Sequence, residues 1–108
     1  MDIKLQLEDI IKLFKDKEFV KCHDELEHLW REYKNDESTR KESFILKAFT
    51  NAVVVFELEN MNRIQHSKNV WNTYKKYEYL IDKLDSVNKS QYIELKELIY
   101  KYKEELDK

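Results

Sequence analysis

The chain has 108 residues, of which 42% are hydrophobic and 39% are charged, and its net charge at neutral pH is −2. This length suits one hydrophobic core, so we expect one domain over residues 1–108. The balanced charge argues against nucleic acid as a partner, and the longest apolar run, residues 52–56, is too short to span a membrane. The absence of glycine and proline excludes glycine-rich phosphate-binding loops and predicts an all-α fold.

The single cysteine bears on the cellular compartment. Cys22 has no second cysteine with which to form an internal disulfide, which favours a reducing environment. The first ten residues carry acids where a signal peptide needs positive and long apolar regions. We therefore expect a cytoplasmic protein in which Cys22 is a small buried hydrophobe rather than a nucleophile.

Apolar periodicity predicts a bundle of about five helices around a central apolar helix. The first helix, residues 2–14, has a regular apolar stripe and Asp2 as its N-cap. The second covers residues 18–33, and the loop after it ends at a capping box formed by Thr39 and Glu42. The third, residues 40–58, is apolar around most of its circumference and is therefore placed at the centre. Only a narrow strip of it should face water, formed by Lys47, Thr50 and Glu57.

The last two helices follow an asparagine-containing break. The fourth helix is predicted over residues 63–84, and its lysines are scattered as on a solvated face. The fifth begins with Asn88 as N-cap, with Gln91 at the capping-box position and Val87 and Tyr92 spaced as a hydrophobic staple. Ile93 and Tyr100 form a small second apolar patch on it, which suggests a homodimer as one form of assembly.

The second helix carries the most informative polar residues. His23 and Glu27 are four residues apart, so they share one face beside the apolar arc of this helix. Asn51 is the one polar residue inside the apolar arc of the third helix. Since buried polar groups cost stability unless they are paired, we predict a hydrogen-bonded cluster of His23, Glu27 and Asn51. Phe19 and Trp30 would form its walls, and Arg31 would flank it by pairing with Glu27.

A metal site is the weaker hypothesis for the same region. His23 and Glu27 supply only two ligands, and His66 and Glu78 complete a site only if the fourth helix faces the second. Glu25 and His28 match half of a di-iron motif, but no second copy exists and both should face water. We therefore expect no metal and no cofactor.

The spacing Phe19, His23, Glu27, Trp30, Arg31 resembles the signature of the family called domain of unknown function 309. Weaker similarity extends over residues 14–80. It includes Arg40, the Asn51–Ala52 pair and Asn60. The chain departs from the family pattern at Lys15 and Lys17, where asparagine and glycine are usual before the second helix. It departs again at Glu59, which replaces the glycine of a Gly-Asn turn. Arg63 and Ile64 stand where a Gly-Ala pair is usual. The resemblance implies a small all-helical protein with its site on the second helix, and it implies no activity.

Three functional hypotheses follow. The favoured one is a binding or interaction module whose partner is an unknown small ligand or protein. The second is an enzyme in which Glu27 orients His23 as a general base. The third is a weak metal site. A cleft opening onto His23 would favour the enzyme, and a closed core around it would favour the module.

Overall fold

The computed structural model describes residues 3–108 as helices joined by short turns. They are α1 (Ile3–Lys15), α2 (Phe19–Lys34), α3 (Arg40–Asn60), α4 (Ile64–Tyr77), α5 (Leu80–Lys83) and α6 (Lys89–Leu106). The all-α prediction is confirmed, except that the predicted fourth helix is divided into α4 and the single turn α5. The N-cap predicted at Asp2 lies outside the described residues. Within residues 3–108, no helix combines the length and apolar character needed to cross a bilayer.

Helix α3 occupies the centre, as its sequence predicts. It packs along α2 on one side and along α4 on the other, whereas α1 packs on α2 and α6. Eleven of its 21 residues are buried, because a helix that is apolar around most of its circumference is stable only between neighbours. This arrangement sets α2 and α3 side by side.

An aromatic cluster joins four helices at one end of this pair. The ring of Phe14 lies 5.5 Å from Phe19, 5.3 Å from Phe56 and 5.0 Å from Tyr102, measured between centroids. Such aromatic pairs contribute about 0.5–1.5 kcal/mol each beyond the area they bury. The cluster fixes the start of α2 against the C-terminal part of α3. It therefore determines which residues of the two helices meet one turn further along.

Two helices end in the same way although the chain has no glycine. Lys17 and Asn62 both have a φ of 60°. The amide of Lys17 donates to the Phe14 carbonyl and that of Glu18 to the Leu13 carbonyl, which is the pattern of a Schellman motif. The amides of Asn62 and Arg63 repeat it at the end of α3, donating to the carbonyls of Glu59 and Leu58. After glycine, asparagine is the residue found most often in this conformation at a helix end, whereas lysine adopts it rarely.

The capping boxes predicted at Thr39 and Asn88 are wrong. Neither residue makes a side-chain cap hydrogen bond. Thr39 Oγ1 donates to the Tyr33 carbonyl instead, at 2.8 Å. Glu42 accepts hydrogen bonds from the Tyr92 hydroxyl at 2.7 Å and the Asn88 amide at 3.3 Å. Water can form hydrogen bonds with the free amides of an exposed helix end, but a buried tyrosine hydroxyl needs a protein acceptor. Glu42 therefore accepts from Tyr92 rather than capping α3.

The predicted staple and the predicted surface patch are also wrong. Val87 is 81% exposed, so it does not pack on Tyr92, which is buried. Ile93 and Tyr100 are half-buried against the core, and the Tyr100 hydroxyl donates to both oxygens of Glu78. Helix α6 packs on α5 and α1, so its second apolar patch packs against other helices of the bundle.

Candidate functional site at the α2–α3 edge

His23 lies between two carboxylates where α2 meets α3. Its Nδ1 is 2.8 Å from Oε1 of Glu57, and its Nε2 is 3.5 Å from Oε2 of Glu27. Arg31 Nη2 donates to the other oxygen of Glu27 at 2.7 Å. These four side chains, Glu57, His23, Glu27 and Arg31, form one continuous line that we call the polar row.

Helical spacing accounts for most of the polar row. His23, Glu27 and Arg31 follow one another at intervals of four residues, so they lie one above the other on α2. Glu57 comes from α3, next to Phe56 of the aromatic cluster. The side chains of His23, Glu27 and Glu57 are 28%, 34% and 21% exposed. The row is therefore at the boundary of the core and within reach of solvent.

The structure brings His23 and Glu27 together but does not bring Asn51 to them. Asn51 is half-buried on α3 and makes no hydrogen bond to His23 or Glu27 within the described part of the chain. At about 100° per residue, it lies about 120° around α3 from Glu57. Its place in the predicted cluster is taken by Glu57.

Sequence periodicity does not identify Glu57 as a site residue, because it predicts that the strip containing Glu57 faces water. The structure places Glu57 against His23 of α2, whereas Lys47 is exposed as predicted. Thr50 is buried and donates to the Leu46 carbonyl at 2.8 Å. The sequence does contain a signal for this contact. A polar strip on a central helix and a polar pair on the neighbouring helix can form hydrogen bonds with each other.

Two lysine amines lie over the ring of Trp30 at the other end of this edge. The Nζ atoms of Lys34 and Lys47 lie 4.6 and 4.4 Å from its ring centroid, within the range of cation–π attraction. Arg40 Nε donates to the Lys34 carbonyl at 3.1 Å. Within residues 3–108, no ion pair to a carboxylate is formed by Lys34, Lys47 or Arg40. We call Trp30 with Lys34, Lys47, Arg40 and Arg31 the basic patch.

Within residues 3–108, none of the remaining predicted site residues forms a hydrogen bond or ion pair with His23. Phe19 belongs to the core and stacks on Phe56 at 5.2 Å. Glu78 accepts from Tyr100 of α6, so it faces away from α2, and His66 is exposed on α4. Among the described residues, no three histidine, cysteine, aspartate or glutamate side chains converge as a metal-binding group.

Cys22 does not supply a nucleophile to this edge. The thiol is fully buried, and its sulfur lies 3.6 Å from the Ile10 carbonyl on the α1 side. Burial, with smaller contributions from the charges of Glu25, Glu57 and Asp9, raises the pKa of the Cys22 thiol to about 12. The thiolate needed for nucleophilic attack is therefore scarce at neutral pH.

Glu25 departs from its predicted place in water. His28 is exposed as expected and pairs with Glu32 at 3.1 Å. Glu25, in contrast, is half-buried and faces α1. Burial, a hydrogen bond with Asp9 and the repulsion of that neighbouring charge together raise the pKa of Glu25 to about 7. Sequence periodicity on α2 alone could not reveal Asp9 as its neighbour.

Comparison with known proteins places this site in a family. No curated protein and no solved structure matches the chain. A family model does match, over residues 7–70. This segment includes α2 and α3 and therefore every residue of the polar row and the basic patch. Because it covers more than half of the chain, the protein belongs to the family described as Domain of unknown function (DUF309).

Proposed function

We propose that this protein is a cytoplasmic, non-catalytic binding module whose basic patch docks an acidic segment of a protein partner. The observation that carries the proposal is the pair of lysine amines held over Trp30, which have no carboxylate partner among residues 3–108. A glutamate or aspartate brought to this point would meet two amines and the face of an indole ring. Trp and Arg are the residue types most often found at the energetic centre of protein interfaces.

The polar row supports this role by fixing the patch. Glu27 holds the guanidinium of Arg31, and His23 links Glu27 to Glu57 on the neighbouring helix. A side chain that is already held loses less entropy on binding. Phe44 is 50% exposed one turn before Lys47 on α3, so an apolar side chain of the partner can pack beside the lysines.

The experiment uses Trp30 as its own reporter. The sequence has two tryptophans, so a Trp71→Phe background leaves only Trp30 to fluoresce. The probe is a short blocked peptide of glutamate and leucine, and the comparison peptide has lysine in place of glutamate. We expect saturable fluorescence change with the acidic peptide only, weakening as salt is added because exposed charges are screened.

Two variants connect the signal to the patch. Changing Lys47→Gln should weaken peptide binding about fivefold, the effect of one exposed ion pair. The matched control is Lys75→Gln with Lys76→Gln on α4, two exposed lysines whose loss should leave binding unchanged. Equal response to both peptides, or no saturation, would show that the lysines only cover Trp30. A homodimer, the other form of assembly considered, would appear as concentration-dependent mass in light scattering without peptide.

Acid–base catalysis by His23 is the second candidate. The contact of Nδ1 with Glu57 fixes the orientation of the imidazole ring, as in catalytic carboxylate–histidine pairs. However, Glu27 lies against the other nitrogen, where a substrate would have to deliver or accept the proton. Carbethoxylation of His23 by diethyl pyrocarbonate tests this point. Reaction as fast as that of exposed His28 would favour the enzyme, and strong protection would favour the module.

A further inference from the structure

A cavity of about 610 Å³ lies between α1 and α2, on a different side of α2 from the polar row. Leu5, Ile10 and Leu29 form its apolar walls, and Asp9, Glu25 and His28 are among its polar lining. Its volume is within the range of about 300–1,000 Å³ typical of small-molecule sites. Leu5 is 60% exposed, so part of the wall is open to an incoming apolar group.

The charges lining the cavity are mostly of one sign. Asp9 comes from α1, and Asp24, Glu25 and His28 come from α2; among the described residues that line the cavity there is no lysine or arginine. His28 already pairs with Glu32 outside the cavity. Three carboxylates facing a space with apolar walls repel an anion and attract a cation. They do not favour binding of a neutral molecule over binding of a cation.

The carboxylates of Asp9 and Glu25 mark the position of the cation. Asp9 and Glu25 line the same cavity. Two neighbouring carboxylates are not both ionised without cost, and a proton held between them lowers their repulsion. Burial of Glu25, with smaller contributions from a hydrogen bond with Asp9 and from the charge of Asp9, raises the pKa of Glu25 to about 7. An ammonium group placed between a carboxylate oxygen of Asp9 and one of Glu25 would also lower the repulsion between the two carboxylates. It can donate more hydrogen bonds than a single proton can.

From this geometry we propose that the α1–α2 cavity binds an organic cation with an apolar body. Its ammonium group lies between Asp9 and Glu25, and its hydrocarbon part lies along Leu5 and Leu29. Apolar walls with a few convergent polar groups are typical of small-ligand sites. This site is independent of the basic patch, since it uses other residues and attracts the opposite charge.

The test compares three probes of one shape by backbone amide chemical shifts in NMR: hexylammonium, hexanol and hexanoate. We expect saturable shifts around the cavity with hexylammonium, and weaker or absent shifts with the other two. Affinity should increase from pH 5 to pH 8, because Glu25 loses its proton near pH 7 while the amine stays charged. Glu25→Gln should weaken binding about fivefold at pH 8 and remove this pH dependence.

The matched control is Glu8→Gln, a change at an exposed carboxylate of α1 that does not line the cavity. It should bind hexylammonium like the unchanged protein. Equal binding of hexanol and hexylammonium would show an apolar cavity without charge selection and would overturn the proposal. So would hexylammonium affinity that is the same in Glu25→Gln as in the unchanged chain.

Discussion

Lys17 and Asn62 show at the residue scale how helices end in a chain without glycine. Both adopt the left-handed backbone conformation that completes a Schellman motif. Asparagine tolerates it because its short polar side chain can bond locally, whereas a lysine Cβ lies too close to the following carbonyl oxygen. Lys17 also stands where the family resemblance calls for glycine. The fold is therefore built with local strain at the entrance to α2.

The first prediction is that Lys17→Gly increases the free energy of unfolding by about 0.5–1 kcal/mol, because it removes the Cβ contact at positive φ. Denaturant melts followed by circular dichroism measure the change.

The control for this prediction is Lys17→Ala. Alanine keeps the Cβ and loses only the side chain, whose amine lies 5.7 Å from the Tyr102 ring centroid. It should give no gain. A gain from alanine as large as that from glycine would mean that the long side chain, and not the backbone, carries the strain.

At the element scale, α2 and α3 share one polar interface. Sequence spacing places His23 and Glu27 correctly on one face of α2. The partner that α3 offers depends on how the two helices are aligned, and the alignment brings Glu57 rather than Asn51 to the histidine. The row is partly open to solvent and joins α2 to α3 at the boundary of the core.

The second prediction is a double-mutant cycle on His23→Ala and Glu57→Gln, measured by thermal and urea melts at pH 7. Each single change should destabilise the protein by about 1 kcal/mol, and the pair should be non-additive by about 0.5–1.5 kcal/mol, because they share one partly buried contact.

The matched cycle pairs His23→Ala with Asn51→Ala, which should be additive because the two residues make no hydrogen bond. Coupling of His23 to Asn51, with none to Glu57, would contradict the observed alignment of the helices. Single changes that leave stability unaltered or improved would indicate that the row is maintained for binding at a cost to stability.

At the scale of the whole molecule, a buried polar contact joins parts of the chain that are 50 residues apart. The Tyr92 hydroxyl of α6 donates to Glu42 near the start of α3, and Asn88 contacts the same carboxylate. Burial and the charge of Glu42 raise the pKa of Tyr92 well above its ordinary value, so the hydroxyl keeps its proton. This contact holds α6 to the central helix.

The third prediction is that Tyr92→Phe lowers the free energy of unfolding by about 1–3 kcal/mol, since it leaves the half-buried Glu42 without its strongest partner. Urea melts give the value. Tyr102→Phe is the control, because that hydroxyl reaches the Lys15 carbonyl at 3.2 Å in an exposed position. It should change stability little. Equal losses in the two variants would show that the hydrogen bond to Glu42 stabilises the fold no more than an exposed hydroxyl contact does.

The sequence alone determined the all-α class, the central position of α3, the family and the polar face of α2. Each of these follows from local properties: the absence of glycine and proline, the apolar circumference of residues 40–58, and the spacing of His23 and Glu27. Periodicity reports the angle of a residue about its own helix, and it does so well. It says nothing about how far one helix is shifted along another.

Only the tertiary structure decided which polar groups meet. The aromatic cluster around Phe14 aligns α2 with α3, and this alignment gives His23 its contact with Glu57. The packing of α1 on α2 places Asp9 beside Glu25 and forms the cavity, and the packing of α6 turns Glu42 from a cap into a partner of Tyr92. These contacts depend on shape complementarity between distant side chains, which no pattern within a single helix records.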